Sequence, residues 1–583
     1  MTANTWKCRA LQWRIAASFD GAAELARQVR TSPLVAQVLA NRGITDPDEA
    51  RAFLNPKLSD LRDPAELAGV EPAARHIAGA VRAGRRIVIY GDYDVDGMTS
   101  IAILKSCLDL VDADVDYYVP HRLEEGYGLH TEAVETIIRD GAKLIVTVDC
   151  GIGAVDAVAA ARAAGVDVIV TDHHALPADL APANVIVHPA VPAGHYPFAD
   201  LAGAGVAFKL AWQLARELCG STRVDEPMRD FLLSATCLAA LGTIADVVPL
   251  VGENRVLAVH GLMGLPQAPH IGLRALIASA GLDGEKLDAY HVGFVLAPRL
   301  NAAGRMGHAR LAVDLLTGAA GDRCGEIAEY LAAQNTERQR VERAITAEAI
   351  EMVESNNLAA DDRRAIVLAS DKWHGGVIGI VASRLVDRFH RPAILIAING
   401  DGVGQGSGRS VKGLHMREAM DACSEHLLSF GGHAMAGGLK IDPARIDAFA
   451  DAFVQYANDH LAADAIAATL ALDAETTLSA LSFPVVNHLA RLAPHGQGNP
   501  QPLVAVRRCR VVSAPRRMGK SGKTLGMILG QDNVTMRAVG FGMGDLADRL
   551  AGVNEIDVAA APNLNTYQGR TNVELMLKDV VWE

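Results

Sequence analysis

The run Gly91-Asp-Tyr-Asp-Val-Asp-Gly97 places three carboxylates at alternate positions, directly after the apolar stretch Arg86-Ile-Val-Ile-Tyr90. Alternate side chains of an extended segment point the same way, so Asp92, Asp94 and Asp96 are expected to converge. Like charges packed together are costly unless a cation neutralises them. Oxygen-rich clusters of this kind suit hard divalent ions, Mg²⁺ or Mn²⁺. A calcium-binding EF-hand loop is excluded: Gly97 fits its sixth position, but Ala102 stands at the twelfth, where a Glu is required, and no helix leads in. The plainer alternative is a capped, solvated turn. A second acid, Asp149, ends the apolar run Lys143–Val148 and precedes Cys150-Gly-Ile-Gly153. The tripeptide Asp172-His173-His174 ends the next such run. A neutral imidazole beside carboxylates is a good first-row metal ligand and tilts the preference toward Mn²⁺. One His of the pair can bind metal while the other faces a phosphate. A single strand-end Asp is ordinarily a helix cap; recurrence at three successive strand ends argues for a site. Asp246, in Gly242-Thr-Ile-Ala-Asp-Val-Val-Pro249, is a weaker candidate because it follows a helix-like run.

These residues need a scaffold that brings strand ends together. Arg86–Tyr90, Val115–Val119, Lys143–Val148 and Val166–Thr171 read as buried strands, with helices at Thr131–Asp140 and Val155–Ala164 between them. Strands alternating with helices imply a parallel α/β sheet, and right-handed crossovers bring its carboxyl ends to one edge. Residues 1–60 read as helical and irregular, and residues 61–320 as the catalytic α/β domain. The polar run 321–357, with a thin stripe of Ile327, Leu331, Val341, Ile345 and Ile350, reads as a solvent-bridging linker helix within 321–360. A second α/β domain, 361–464, is expected from the strands Arg364–Ala369 and Ala393–Ile398 around the helix Val377–Phe389. Two Gly-rich loops follow there, Gly402–Gly408 and Gly431–Gly438. Residues 465–583 alternate β-prone and turn residues and read as a small β-barrel.

At 583 residues, two to four domains are expected. The net charge of −13 argues against a nucleic-acid partner, but a metal site concentrates acids, so the distribution decides. From Leu503 to Gly530 there are no acids and seven basic residues, Arg507, Arg508, Arg510, Arg516, Arg517, Lys520 and Lys523. On a barrel this reads as a track for a nucleic-acid backbone, the alternative being a solvated basic face. The loop Gly402–Gly408 would expose backbone N–H groups to an anion, with Ser407 and Arg409 adding donors. Arg122, in His121-Arg-Leu-Glu-Glu-Gly-Tyr127, lies just past a strand end, and its plainer fate is a surface ion pair. His433, between glycines, reads as functional; His374 is a weak candidate, since Gly375–Gly379 can serve helix packing. The eight Cys contain no CxxC pair, which disfavours a zinc finger. Met1–Ala10 has no apolar leader core, and the uncharged run Phe231–Ala245 is too short to span a bilayer and reads as a core helix. A cytoplasmic, membrane-free monomer is the expectation.

Gly91-Asp-Tyr-Asp-Val-Asp-Gly-Met-Thr-Ser100, Val148-Asp-Cys-Gly151 and Asp172-His-His174 resemble the DHH phosphoesterase superfamily. Arg299-Leu-Asn-Ala-Ala-Gly-Arg305, Trp373-His-Gly-Gly-Val-Ile-Gly-Ile-Val-Ala-Ser383, Gly406-Ser-Gly-Arg-Ser410 and Gly431-Gly-His-Ala-Met-Ala-Gly-Gly438 narrow the resemblance to its RecJ branch. It covers the chain from about residue 50 to the end, in order. The resemblance implies a DHH domain, a DHHA1-type domain and a C-terminal OB-fold. It implies a 5′→3′ exonuclease on single-stranded DNA, working in repair and recombination, which threads the strand through a channel too narrow for duplex. Water activated by two Mn²⁺ or Mg²⁺ ions would attack the phosphodiester and release 5′-mononucleotides. Asp94, Asp96, Asp149, His173 and Asp246 would hold the ions, with Asp92 a ligand or just behind one, and His174 would contact phosphate or orient a ligand. In many relatives a His stands four residues before the first Asp of the DxD pair; here that position is Tyr90. Arg122, Ser407 and Arg409 would hold the 5′-phosphate, Tyr127 would stack a base and Arg305 would hold a backbone phosphate. Arg299 and Asn301 share that last motif and join the DNA-binding set with His433, Arg507, Arg508, Arg516 and Arg517. A single-strand-binding protein and a RecQ-type helicase are the implied partners. Two rivals remain: a short-oligonucleotide phosphodiesterase of the same superfamily, and a non-catalytic single-strand-binding replication factor.

Overall fold

The apolar runs of the first half form a parallel five-stranded sheet in the order Val115–Tyr118, Ile87–Gly91, Leu144–Val148, Asp167–Thr171, Val185–Val187. The computed structural model describes residues 11–582 apart from 122–124, 306–307, 319–320 and 401. Both sheet faces are covered, which is why the strands read as continuous apolar runs. Ile87, Ile89, Val146 and Ile169 face a core shared with the helices Val70–Arg82, Val95–Asp109, Gly203–Cys219 and Glu226–Ala245. Val88, Tyr90, Ile145 and Val168 face the other way, beneath the helices Thr131–Arg139 and Val155–Ala163. After Ile87–Gly91 the chain pairs a strand on one side, then crosses back to place Leu144–Val148 on the other. The loops leaving these two neighbouring strands diverge and open a crevice at their carboxyl ends. Strand bounds differ from the sequence reading by about one residue. The short fifth strand, Val185–Val187, carried no separate signal.

The apolar helix is longer than the uncharged run suggested. Glu226–Ala245 spans 20 residues and is, among the described residues, the one helix long and apolar enough to cross a membrane; 67% of its most apolar window is buried inside the protein. It packs on Val95–Asp109 and Gly252–Gly264.

The chain divides into two compact units. Trp13–Ala332 and Ala471–Glu583 form one, and Ala333–Leu470 lie in the other. The helix Gly321–Ser355 carries the chain from the first into the second. Its thin apolar stripe packs toward both ends: Ile327 and Leu331 enter the first unit's core and Ile345 the second's, with Val341 and Ile350 partly buried.

In the first unit the C-terminal strands close a barrel in the order Ala474–Thr476, Val504–Val511, Glu555–Tyr567, Arg570–Val581, Val534–Phe541, Thr524–Gln531, Arg516–Met518, with Val504–Val511 pairing again to Thr524–Gln531. Arg255 ties this region to the rest of the unit. It is 2% exposed. Its guanidinium donates to the carbonyls of Phe53 (2.8 Å), Leu492 (3.0 Å), Arg491 (3.1 Å) and Ala493 (2.9 Å) and stacks on the Phe53 ring. Burial, then the Arg42 charge, lowers its pKa to about 9. A planar fork of donors fits this set of carbonyls as no Lys can.

The second unit holds a mixed five-stranded sheet, ordered Leu427–Gly432, Ala436–Ile441, Gly404–Arg409, Ala393–Ile398, Ile366–Ser370. The Gly402–Gly408 stretch is therefore no open loop. Gly404–Arg409 is a strand paired on both sides, so its backbone N–H groups are spent on the sheet rather than offered to an anion. Its glycines face Ile394, Ile396, Leu439, Ile441 and Met416, which leave no room for a Cβ at Gly404, Gly406 or Gly408. Gly431–Gly438 is likewise a hairpin rather than an open loop. Truncating Arg255 to Met should strand these four carbonyls and lower stability by about 3 kcal/mol, read as a fall in melting temperature; an unchanged melt would refute the clip.

Candidate metal centre

Asp92 follows the strand Ile87–Gly91 directly. Asp94 caps the next helix, its Oδ1 accepting from the N–H groups of Asp96 (2.9 Å) and Gly97 (3.1 Å). The segment is thus not extended through Asp96: a helix starts at Val95 and carries Asp96 away from the other two. Three sets of ligand atoms result, each mutually within 4.8 Å: Asp92, Asp94 and Asp149; Asp96, His173 and Asp246; and Asp149, His173 and His174. Asp149 and His173 are shared between sets, so the structure brings together every sequence-predicted metal residue, but around two neighbouring centres.

Close backbone approach makes this possible. A Cβ on Gly203 would stand 2.7 Å from Asp149 Oδ1, and one on Gly242 would stand 2.6 Å from Asp96 Oδ1. Asp96 is held at the first turn of Gly203–Cys219, its Oδ2 accepting from Gly203 N–H (2.7 Å) and its Oδ1 from Ala204 N–H (2.8 Å). A helix N-terminus is favourable ground for an anion. Asp149 has φ 59°, a left-handed conformation that costs a residue with a Cβ about 1 kcal/mol or more. It turns the chain sharply at the strand end, and Thr147 Oγ1 closes the turn on the Cys150 carbonyl (2.8 Å). Asp246 is the C-cap of Glu226–Ala245.

Asp172 organises the histidines. Its Oδ2 accepts from Ile152 N–H (3.0 Å), and its Oδ1 accepts from the backbone of His173 (2.8 Å) and lies 2.7 Å from His174 Nδ1. Burial alone would raise the Asp172 pKa, but the hydrogen bond and charge of His174 hold it at about 2. His174 is correspondingly raised to about 9: burial opposes its charge, and the Asp172 hydrogen bond and charge overcome that. Burial, with the neighbouring His174 charge, drives His173 down to about 3, so it is a neutral imidazole. Its Nε2 faces Asp149 Oδ1 at 3.0 Å, Asp246 Oδ2 at 3.6 Å and Asp96 Oδ2 at 3.7 Å.

These groups fit divalent cations. Asp149 Oδ1 and His173 Nε2 are buried and make no hydrogen bond. Burial followed by the charge of Asp94 pushes Asp96 up to about 7; burial followed by Asp96 pushes Asp246 up to about 9 and Asp149 well above the usual range. Buried carboxylates that repel one another around orphaned donor atoms are the signature of a site completed by cations. Carboxylate oxygens with one neutral imidazole suit Mn²⁺ or Mg²⁺.

Other candidates fall around and away from this centre. Tyr127 is 47% exposed, and its hydroxyl lies 3.0 Å from His174 Nδ1. Arg122 lies outside the described residues. Tyr90 is no stand-in ligand: it is fully buried, stacks on Tyr118 and donates to the Gly128 carbonyl (2.8 Å), bracing the loop that carries Tyr127. Arg299, Asn301 and Arg305 lie on the helix Ala297–Arg305, whose Gly304 packs on the Tyr93 carbonyl between Asp92 and Asp94. In the second unit, Ser407 and Arg409 share a strand face, 3.2 Å apart, against Gly379 in the first turn of the helix Ile378–Phe389. His374 Nδ1 accepts from Gly376 N–H (3.1 Å) and helps close that turn. His433 is exposed at a hairpin turn beside Ala436, the partner of Arg409. Three of the seven basic residues of the C-terminal run pair with acids, Arg507 with Glu475 and Asp557, Arg508 with Glu555, and Arg517 with Asp545 and Asp548, while Arg510, Lys520 and Lys523 are exposed. Acid-free sequence did not mean acid-free surroundings, because the acids come from other segments of the barrel unit. Arg516 remains exposed. Sequence reasoning missed the anchoring role of Asp172, although the residue lies inside a motif, and missed the Gly203–Ala204 donors, for which no local signal exists.

The raised carboxyls set a pH dependence. Asp96, Asp149 and Asp246 all titrate above the ordinary 3.8 when folded, so the metal-free fold binds more protons than the unfolded chain. The stability they contribute is full below the ordinary value and is lost as pH rises through about 7 to 9. His174, raised from 6.5 to about 9, acts in the same direction; His173, depressed to about 3, changes nothing above 6.5. Chelator-treated protein should therefore melt lower at pH 9 than at pH 7, and Mn²⁺ should raise the melting temperature more at pH 9. A flat, Mn²⁺-insensitive profile would contradict the assignment.

Comparison with known proteins agrees with this architecture. Protein-family models match residues 86–238 (DHH family, N-terminal domain), 362–459 (DHHA1 domain) and 472–579 (RecJ OB domain). The chain is 38% identical over 561 residues to the single-stranded-DNA-specific exonuclease RecJ of Bacillus subtilis, covering 96% of this chain and 69% of that one. It is 34% identical over 577 residues to the protein of that name from Escherichia coli, covering 94% and 96%. The crystal structure of RecJ in complex with Mn²⁺ from Thermus thermophilus superposes with a TM-score of 0.83 at 32% identity, over 98% of this chain and 80% of that one; the Mg²⁺ complex gives 0.77. Buried acids gathered at a sheet switch point, three matched domains in order and identity of this level along nearly the whole length lead to one conclusion: this chain belongs to the RecJ family.

Proposed function

We propose that this chain is a metal-dependent exonuclease that hydrolyses single-stranded DNA in the 5′→3′ direction and releases 5′-mononucleotides. The observation that carries the reading is the atom pair Asp149 Oδ1 and His173 Nε2, buried 3.0 Å apart with no hydrogen-bond partner and shared between overlapping acidic sets. A phosphodiester is itself an anion, so it approaches such a site only when cations are present. When bound, paired divalent ions supply Lewis acidity toward water and toward the phosphodiester. Asp92, Asp94 and Asp149 would hold one ion and Asp96, His173 and Asp246 the other, with Asp149, which also shares a set with His173, within reach of both. Asp172 keeps His174 charged and oriented to bind a phosphate oxygen. Tyr127, half-exposed and fixed through its hydroxyl at His174, offers a ring face to a base. By resemblance, Arg122, Ser407 and Arg409 would bind the 5′-phosphate and Arg305 the strand backbone; within the second unit, Ser407 and Arg409 lie together beside the first turn of Ile378–Phe389.

The relatives' names supply the single-strand preference, and the same inference extends to a cytoplasmic monomer active in repair and recombination. Its substrate would come from a RecQ-type helicase and a single-strand-binding protein. The test is digestion of 5′- and 3′-labelled single strands and of duplex with Mn²⁺. Stepwise loss from the 5′ end of single strands, abolished by chelator, is expected; preference for dinucleotides over long strands would support a short-oligonucleotide phosphodiesterase instead. Asp149→Ala should lose at least about 100-fold in hydrolysis while still binding the strand. Undiminished hydrolysis would overturn the site.

A further inference from the structure

Helix Ala297–Arg305 is entered through a π-helical turn, His291–Leu296. A π turn widens the helix, and such turns cluster at functional sites. Here the widened turn is stabilised by Arg299, whose Nη1 donates to the Val295 carbonyl at 2.6 Å. Asp288 caps its start, accepting from His291 N–H (3.0 Å) and lying 2.7 Å from His291 Nδ1. What the turn presents is a pair of aromatic rings. Tyr290 and Phe294 are one helical repeat apart and stack with centroids 5.1 Å apart and planes 24° from parallel. They are 62% and 70% exposed. Among the described ring pairs, this is the one in which both rings are mostly in solvent. The core does not use them, and exposing two stacked rings is unfavourable unless something covers them.

Their position says what covers them. Gly293, on the same turn, packs toward Ile244, whose helix ends at the metal residue Asp246. Gly304, on the helix that continues from the turn, packs on Tyr93 between Asp92 and Asp94. The turn thus packs toward the helix that ends at Asp246, and the helix it leads into packs on the Asp92–Asp94 segment. Two stacked, mostly exposed rings on a turn that packs against the helix ending at Asp246, with the Asp288–His291 pair at their side, have the chemistry of a base-stacking platform. We propose that Tyr290 and Phe294 stack unpaired bases of the substrate strand outside the metal centre. The proposal rests on the single-strand exonuclease reading and adds to it a binding surface built on the π turn.

The test uses full-length protein with Mn²⁺ and compares wild type, Phe294→Ala, Phe294→Trp and the Tyr290→Ala/Phe294→Ala double variant. Substrates are a thymidine strand of about 20 nucleotides, the same strand made abasic beyond its first few nucleotides, and a dinucleotide. For the double variant, KM for the full strand should rise about tenfold or more, with kcat unchanged, dinucleotide cleavage unchanged and Phe294→Trp close to wild type. On the abasic strand, wild type and variant should be indistinguishable. If wild type cuts the long strand and the double variant cuts it with the same KM, the platform is refuted. If the variant changes only sedimentation, the rings bind a second copy of the chain and the platform is again refuted. If wild type cuts no single strand with Mn²⁺, the parent reading fails instead.

Discussion

Mutual repulsion among buried carboxylates is the constraint on which the rest of this structure depends. Asp92, Asp96 and Asp149 are almost fully buried, and Asp94 and Asp246 lie close by. Water cannot dissipate their charge, and no Lys or Arg pairs with Asp96, Asp149 or Asp246 among the described ion pairs. Such a cluster stands in a folded protein only if protons or cations occupy it. Much of the surrounding architecture holds these groups together against that repulsion. Parallel strands deliver Asp92 and Asp149 to adjacent strand ends, a helix N-terminus grips Asp96, and glycines at 203 and 242 let separate helices approach to within contact of the acids.

The two histidines show how one local contact divides labour. They are neighbours in sequence and lie 4.5 Å apart as rings, yet burial and the Asp172 carboxylate push their proton affinities in opposite directions. The neutral one faces the carboxylates. The charged one is tied to Asp172 and to the Tyr127 hydroxyl at the rim. One tripeptide thus holds a cationic imidazole beside a neutral one.

Much of this was legible in the sequence because the chemistry sits where secondary structure is most readable. Short apolar strands ending in Asp, repeated three times, mark a parallel sheet and its active edge. What sequence did not reveal depends on long-range contact. Asp92, Asp94 and Asp96 do not converge along one extended strand, since Asp94 starts a helix and splits the triplet between two sets. Glycines at 404, 406 and 408 looked like a loop because a strand of glycines has no apolar signature; the large side chains that require them belong to neighbouring elements. The basic stretch of the barrel carries less net charge than its own sequence suggests, because Glu475, Asp557, Glu555, Asp545 and Asp548 reach Arg507, Arg508 and Arg517 from other segments. The π turn at His291–Leu296 has no sequence period of its own.

Asp149, which belongs to two of the three ligand sets, is the residue through which two bound ions would meet. Electron paramagnetic resonance of the Mn²⁺-loaded protein tests this directly, because two ions sharing a carboxylate couple their spins and two distant ions do not. Two Mn²⁺ per chain with an exchange-coupled spectrum are expected, with loss of that coupling in Asp149→Asn. A single bound ion, or two uncoupled ions unaffected by the substitution, would contradict it.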